Sequence, residues 1–171
     1  MKRWIIIIAV VAMAGWAVYD FVIKADSENV KVGLEKGNLA PDFELNTLDG
    51  EAVNLSDFKG ERVLLNFWGT WCPPCRAEMP DMQKFHEESD VVILAVDALE
   101  TEKSVDSVHN FVEEFGVTFR VLLDEKSNIL TMYGIQSFPT TFLIDSEGKI
   151  QNKAIGPLNY EQMVQEFEKL K

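Results

Sequence analysis

Two nearly continuous apolar runs, residues 62–68 (RVLLNFW) and 91–98 (VVILAVDA), constrain the fold of this chain more than any other feature. A strand with so little polar alternation has no face to turn toward water, so both of its faces must be covered. The stretch between the runs is expected to be helical up to about Glu88. This strand–helix–strand order predicts two parallel strands with a helix packed on the sheet.

The segments on either side of this unit add hairpins and helices to it. Asp49 and Gly50 lie between two short strand-like segments and predict an N-terminal β-hairpin, because Asp-Gly suits a tight turn. Strands are also expected at residues 119–123, 140–144 and 149–155, and helices at 104–115, 129–133 and from 159 onward. The expected fold class is α/β, with a mixed central sheet flanked by helices.

Residues 4–19 (WIIIIAVVAMAGWAVY) are all apolar or small, and residues 20–23 (DFVI) extend the run with a single acid. About twenty such residues span a bilayer as a helix, so we predict a transmembrane signal anchor at residues 1–23. Lys2 and Arg3 place the N-terminus in the cytoplasm and the rest of the chain outside the cell membrane. A cleaved signal peptide ending at the A-M-A pattern of residues 12–14 is the alternative, although cleavage there would leave an apolar new terminus.

The remaining sequence divides into a polar tether, residues 24–39, and one domain, residues 40–171, which is long enough to bury its own core. The formal net charge of the chain is -12. Residues 1–23 carry a net +1, so the rest of the chain carries -13. A domain this acidic repels phosphate backbones, so we expect no nucleic-acid partner. We expect the protein to be a monomer.

The chain has two cysteines, Cys72 and Cys75, and they lie between the first buried strand and the helix that follows. A cysteine at a helix N-terminus faces unpaired backbone N–H groups and the positive end of the helix dipole, which favour the thiolate. The pKa of Cys72 is therefore expected to lie below the roughly 8.5 of a free cysteine. Pro73 and Pro74 fit the first helical turn, where N–H groups have no helical partner.

This placement of the cysteines predicts thiol–disulfide exchange. Cys72 precedes the helix and is expected to be the more exposed, attacking sulfur, whereas Cys75 is expected to be the shielded, resolving one. A zinc half-site is the first alternative, but His86 and His109 do not have the usual ligand spacing. A structural disulfide is the second, but closing so short a loop stabilises little. We expect no metal and no cofactor.

Several motifs resemble the thioredoxin superfamily: FWGTWCPPC after a buried strand and FPTTF at residues 138–142. APDFELNTLDG, LSDFKG, WCPPCRAEMP and FPTTFLIDSEGK are similar to its TlpA/ResA-like branch of anchored extracytoplasmic thiol–disulfide oxidoreductases. The resemblance covers nearly all of the chain beyond the tether. It implies a thioredoxin-like fold in which Pro139 is a cis-proline facing the disulfide, with Trp71, Pro73, Pro74 and Phe138 around the active site.

A buried acid is expected behind the cysteines. Thioredoxin has an aspartate where this chain has Asn66, and Glu78 offers a substitute because it lies three residues after Cys75 on one helix face. The TlpA/ResA-like branch is similar in carrying a glutamate there. A shielded carboxyl would have a raised pKa and relay the proton of Cys75, whereas the alternative is a first-turn acid stabilised by the dipole. Glu100 matches another acidic position of ResA-like proteins.

The resemblance implies a reductant whose client is the CxxCH pair of apocytochrome c, supplied with electrons by a CcdA-type membrane thiol carrier. A spore-envelope reductant, which IGPLNYEQM resembles, and a disulfide-forming oxidase are the alternatives within this chemistry. Outside it, a peroxiredoxin shares the APDFEL and LSDFKG motifs but needs a threonine three residues before its cysteine, where this chain has Gly69. A Sco-type copper carrier spaces its cysteines by three residues, not two, and adds a histidine.

Overall fold

The computed structural model describes residues 31–170 together with Met13, Gly15, Trp16 and Tyr19, which are helical. The predicted anchor at residues 1–23 lies almost entirely outside the described residues, so it stays a prediction. Among the helices formed by the described residues, none has the length and apolar character needed to cross a bilayer. Val32–Lys171 forms one compact unit of the chain.

Seven strands of this unit form a mixed sheet in the order β2-β1-β5-β4-β3-β6-β7. The strands are β1 (Glu44–Thr47), β2 (Ala52–Asn54), β3 (Val63–Trp68), β4 (Val92–Asp97), β5 (Arg120–Leu123), β6 (Thr140–Ile144) and β7 (Ile150–Ile155). Strands β3, β4 and β5 run parallel, and the other pairings are antiparallel. The two apolar runs of the sequence are thus the central strands β3 and β4, and the predicted N-terminal hairpin is confirmed as β1 and β2.

Four helices complete the unit: α1 (Pro73–Glu88), α2 (Val105–Phe115), α3 (Asn128–Met132) and α4 (Tyr160–Glu168). Short 3₁₀ turns lie at Leu55–Phe58 and Leu99–Thr101. Helices α1, α2 and α4 cover one face of the sheet through residues such as Met82, Phe111 and Met163. Helix α3 covers the opposite face through Ile129 and Leu130. Both faces are covered, which confirms the predicted thioredoxin-like α/β fold class.

Single residues define the ends of two of these helices. Gly116 follows α2 with φ of 61°, a left-handed conformation that glycine adopts without strain. Asn159 precedes α4, and its side chain accepts the N–H of Gln162 at 2.9 Å while the Gln162 side chain accepts the N–H of Asn159 at 2.9 Å. This reciprocal cap satisfies two backbone donors and sets where α4 begins.

The segment before β1 belongs to the compact unit from Val32 onward. The Gly37 N–H donates to the carbonyl of Ile150 at 2.7 Å, and the Ile150 N–H donates to the carbonyl of Asn38 at 2.9 Å. Leu39 also forms a β-bridge with Lys149. The sequence assigns these residues to the tether because they are polar, whereas backbone pairing with the edge strand β7 holds them in place.

Candidate active site

The two cysteines lie where β3 ends and α1 begins. Cys72 is the N-cap of α1, with an extended backbone at φ -89° and ψ 108°, and Pro73 and Pro74 open the helix. Prolines are tolerated at these positions because first-turn N–H groups have no partner inside the helix. A disulfide joins Cys72 to Cys75, whose Cα atoms are 5.3 Å apart. The strand–helix junction therefore holds the predicted redox pair in contact.

The sulfur of Cys72 accepts a hydrogen bond from the backbone N–H of Cys75, with a donor–acceptor distance of 3.2 Å. This is the contact that an N-cap side chain makes with the first turn of a helix. When the disulfide is reduced, the same N–H and the positive end of the α1 dipole favour a thiolate at this sulfur. The position of Cys72 thus has the electrostatics expected of an attacking sulfur.

Both cysteines are buried in this disulfide form. Cys72 is 3% exposed and Cys75 is 1% exposed. The predicted contrast in exposure between the two residues is therefore almost absent here, because both belong to the hydrophobic cluster that includes Trp68 and Met79. The order of the residues still distinguishes them, since Cys72 precedes the helix and Cys75 lies inside it.

Trp71 and Phe138 bring the cysteine loop and the proline loop together. Their ring centroids are 5.5 Å apart with an edge-on angle of 85°. The Trp71 indole also donates to the hydroxyl of Thr101 at 2.9 Å, yet half of the side chain remains exposed. The Phe138–Pro139 peptide bond is cis, as the resemblance implies. The residue before Cys72 thus contacts the loop that carries the cis-proline.

Gly69 lies under the Trp71 ring and leaves no space for a side chain. A Cβ atom at residue 69 would lie 2.9 Å from the indole nitrogen of Trp71, which is shorter than real Cβ contacts. A threonine at this position, as a peroxiredoxin requires before its reactive cysteine, would displace the tryptophan. The packing of this loop therefore suits glycine at residue 69, where a peroxiredoxin requires threonine.

Glu78 lies one turn along α1 from Cys75 and on the same face of the helix. The residue is 2% exposed, and neither carboxyl oxygen has a hydrogen-bond donor in ordinary geometry among the described residues. Burial raises the pKa of Glu78 to about 8, the backbone of Leu158 partly opposes this rise, and the charge of Asp81 adds to it. A raised pKa is what the sequence predicts for a shielded carboxyl at this position.

Asn66 occupies the buried position of the thioredoxin aspartate, on β3. It is fully buried, and its side-chain amide donates to the hydroxyl of Thr141 on β6 at 2.9 Å. An amide does not titrate near neutral pH, so this position holds no proton for the cysteines. In place of the thioredoxin aspartate, the ionisable residue near Cys75 is therefore Glu78, which lies on α1.

The acid that contacts the cysteine loop is Glu102 rather than Glu100. The carboxylate of Glu102 accepts the backbone N–H and the hydroxyl of Thr70, both at 2.6 Å. Glu100 lies two residues earlier on a 3₁₀ turn, where its side chain is exposed to solvent. The turn geometry selects which acid reaches the loop, and residue spacing alone does not reveal this geometry.

A second buried carboxyl, Asp97, was not among the predicted site residues. Asp97 ends β4, pairs in register with Trp68 and is fully buried. Burial raises its pKa to about 8, and the charge of the nearby Glu102 adds to the rise. A single acid at the end of an otherwise apolar strand was the signal available in the sequence.

A disulfide at the N-terminus of a helix, a cis-proline loop in contact with the residue before Cys72, and a buried carboxyl one turn along the helix together define a thiol–disulfide oxidoreductase with a thioredoxin-like fold. Comparison with known proteins agrees with this class. Residues 36–153 match the AhpC/TSA family. The chain belongs to this family, among the ResA-like thiol–disulfide oxidoreductases.

Three similar proteins illustrate the relationship. The chain is 39% identical to thioredoxin-like protein YneN of Bacillus subtilis (strain 168) over 98% of both chains. It is 37% identical to thiol-disulfide oxidoreductase ResA of Geobacillus thermodenitrificans (strain NG80-2), over 100% of this chain and 95% of that one. The crystal structure of StoA from Bacillus subtilis superposes with a TM-score of 0.66 and 32% identity, covering 73% of this chain and 95% of StoA.

Proposed function

We propose that this protein reduces disulfide bonds of other proteins outside the cytoplasm, held at the membrane by residues 1–23. The observation that carries the proposal is the pairing at the start of α1: the Cys72 sulfur accepts the Cys75 N–H, and Glu78 lies buried one turn further on. The first element favours an attacking thiolate, and the second supplies a carboxyl group of raised pKa that can exchange a proton with the resolving thiol. The reductive direction is what the resemblance to the TlpA/ResA-like branch implies.

The reaction proceeds in two exchanges. The Cys72 thiolate attacks one sulfur of the substrate disulfide, so a Cys72–substrate disulfide forms and the other substrate sulfur leaves as a thiolate, which takes a proton. The Cys75 thiolate then attacks the Cys72 sulfur, forming the Cys72–Cys75 disulfide and releasing the second substrate thiolate. The substrate gains two electrons from the protein, its two thiolates take protons from solvent, and the proton of Cys75 leaves the protein.

Glu78 acts in the second exchange. Cys75 is 1% exposed, so its thiol needs a base nearby to become nucleophilic. The carboxylate of Glu78 accepts the Cys75 proton as the resolving attack begins, and burial makes Glu78 basic enough for this role. When the disulfide is reduced again, Glu78 returns a proton to Cys75.

The client and the electron donor follow from the resemblance. An extracytoplasmic reductant needs electrons from inside the cell, so we propose a CcdA-type membrane thiol carrier as the donor. We propose the CxxCH pair of apocytochrome c as the client. The exposed half of Trp71 beside Phe138 supports a protein client, because it offers an apolar contact surface next to the disulfide.

The reduction potential of the Cys72–Cys75 pair tests the direction. The 171-residue chain in detergent is equilibrated with glutathione or dithiothreitol buffers, and the fraction reduced is measured by thiol alkylation and mass spectrometry. Thioredoxin lies at about -270 mV and the oxidant DsbA at about -120 mV. We expect a value near or below that of thioredoxin.

Two variants complete the design. Cys75→Ser should accumulate a mixed disulfide with a peptide that carries an oxidised CxxCH pair, while Glu113→Gln, which removes an exposed acid of α2, should leave the potential unchanged. A potential approaching that of DsbA would refute the reductase proposal and identify an oxidase that installs disulfides. A reductase potential without capture of the CxxCH peptide would refute only the apocytochrome client.

A further inference from the structure

Glu78 needs a path for its proton, and the active-site face does not supply one during turnover. The residue is 2% exposed, and its two carboxyl oxygens have no hydrogen-bond donor in ordinary geometry among the described residues. A proton on such a group leaves only through a polar neighbour or water. While a substrate protein is joined to Cys72, it covers the surface around Trp71. The proton that Glu78 takes from Cys75 must then leave on another side.

A solvent-open cavity of about 260 Å³ lies beside Glu78, on the α4 side of α1. Its walls are residues of α1, including Ala77 and Asp81, and the segment that leads into α4, including Leu158. One water occupies about 30 Å³ of liquid, so the cavity has room for several waters. Glu78 is the buried acid of this lining, so waters in the cavity would supply hydrogen-bond partners for its carboxyl oxygens.

The other polar residues of the lining suit a chain of waters. Asn159 and Gln162 use their carbonyl oxygens in the reciprocal cap of α4, and each still carries an amide NH₂ group. Asp81 is half-buried, lies three residues after Glu78 on the same face of α1, and is close enough for its charge to act on Glu78. Glu78 and Asp81 are the charged residues of this lining, and the rest are apolar or neutral.

We propose that this cavity is the route by which Glu78 exchanges its proton with solvent, and that Asp81 at its rim receives the proton from the cavity waters. This inference rests on the proposed role of Glu78 in the resolving step. The Cys75 thiol gives its proton to Glu78, and Glu78 passes it through water to Asp81 and then to bulk solvent. The substrate thiolate, once released, takes a proton from bulk solvent, so the proton count balances. Asp81 is a positioning residue, because it touches neither sulfur.

A comparison of two substrates tests the route. The 171-residue chain in detergent is reduced, and its single-turnover oxidation is followed by tryptophan fluorescence with insulin and with oxidised glutathione. Insulin covers the active-site face, whereas the small disulfide leaves that face open to water. Asp81→Asn should slow the reaction with insulin on the order of tenfold, below the loss for a group that exchanges protons directly with the reactants, and should slow the glutathione reaction far less.

Three further measurements separate a proton route from a structural effect. Ala77→Leu should narrow the cavity without disturbing α1, because leucine is also a good helix former. This variant should show the same loss of rate with insulin as Asp81→Asn. Asp81→Glu keeps a carboxylate and should react with insulin at the rate of the unmodified chain. Imidazole at constant pH should raise the rate of Asp81→Asn, because imidazole takes the place of the missing carboxylate at the rim of the cavity. Asp49→Asn, in the exposed β1–β2 turn where Asn-Gly is compatible, is the matched control and should behave like the unmodified chain.

The outcomes distinguish the two proposals. If Asp81→Asn and Ala77→Leu match Asp49→Asn with both substrates, while Glu78→Gln is slow with both, the route is overturned and the role of Glu78 stands. If Glu78→Gln is also as fast as the control, both the proposed role of Glu78 and the proposed proton route are refuted. Equal slowing of Asp81→Asn with both substrates, without rescue by imidazole, would assign Asp81 a structural role and overturn the route.

Discussion

Replacing Glu78 by glutamine should change how the stability of the protein depends on pH. Burial raises the pKa of Glu78 from 4.5 to about 8, so the folded protein holds this proton more tightly than the unfolded chain does. The contribution of Glu78 to the free energy of unfolding is therefore complete below pH 4.5. It is lost as the pH rises toward 8, because the unfolded chain releases the proton over this range while the folded protein still holds it. Glutamine keeps the shape of the protonated acid and cannot ionise.

The size of the effect follows from the two pKa values. Each unit of difference corresponds to about 1.4 kcal/mol, so release of the proton from the unfolded chain lowers the stability by about 3 kcal/mol at pH 7, relative to pH values below 4.5, and by about 5 kcal/mol well above pH 8. Both figures are upper bounds, because the cavity beside Glu78 is open to solvent and solvent reduces the penalty for a charge there. Glu78→Gln should therefore unfold at a higher urea concentration than the unmodified chain at pH 9, and at a similar concentration at pH 4.5.

The assay is urea unfolding of the oxidised chain between pH 4.5 and 9, followed by near-ultraviolet circular dichroism. Asp97 titrates in both proteins, so the difference between them isolates Glu78. Glu113→Gln removes an exposed acid of α2 and should give a difference that does not grow with pH. Curves for Glu78→Gln and the unmodified chain that stay parallel over the whole range would refute the assignment of Glu78 as a neutral buried acid.

Three further changes probe the loop around the disulfide. Gly69→Ala places a Cβ 2.9 Å from the Trp71 indole nitrogen and should lower the free energy of unfolding by about 1–3 kcal/mol; a tryptophan emission spectrum identical to the unmodified chain would contradict this. Glu102→Gln should speed amide hydrogen exchange at Thr70, whose N–H donates to Glu102 at 2.6 Å, and unchanged protection there would refute that contact in solution. Asp97→Asn should, like Glu78→Gln, raise the urea midpoint at pH 9 but not at pH 4.5; an equal rise at both pH values would point to packing instead of ionisation.

The local elements of the fold were predictable from the sequence because they depend on neighbouring residues. The apolar runs became β3 and β4, Asp49-Gly50 formed the hairpin turn, and Gly116 ended α2 in a left-handed conformation. The position of Cys72 at the start of α1 was also predictable, since it needs only a strand, two prolines and a helical pattern in order. The motifs of the cysteine and proline loops indicated the thioredoxin-like fold.

The charged surroundings of the disulfide were only partly predictable. Glu78 could be placed behind Cys75 because helical spacing puts both residues on one face. A motif position indicates Glu100, yet the 3₁₀ turn directs Glu102 to Thr70. The sequence does not indicate Asp97, because a strand pattern does not say whether its last residue faces solvent or the interior.

The sequence by itself thus determined the strands, the helices and the cysteine pair, because backbone propensity, side-chain period and capping act over a few residues. Only the tertiary structure decided the strand order that buries Asp97, the pairing of residues 32–39 with β7, and the cavity between α1 and the start of α4. These features join segments that are far apart in the chain. Their energies come from burial and from contacts between elements, which no local pattern encodes.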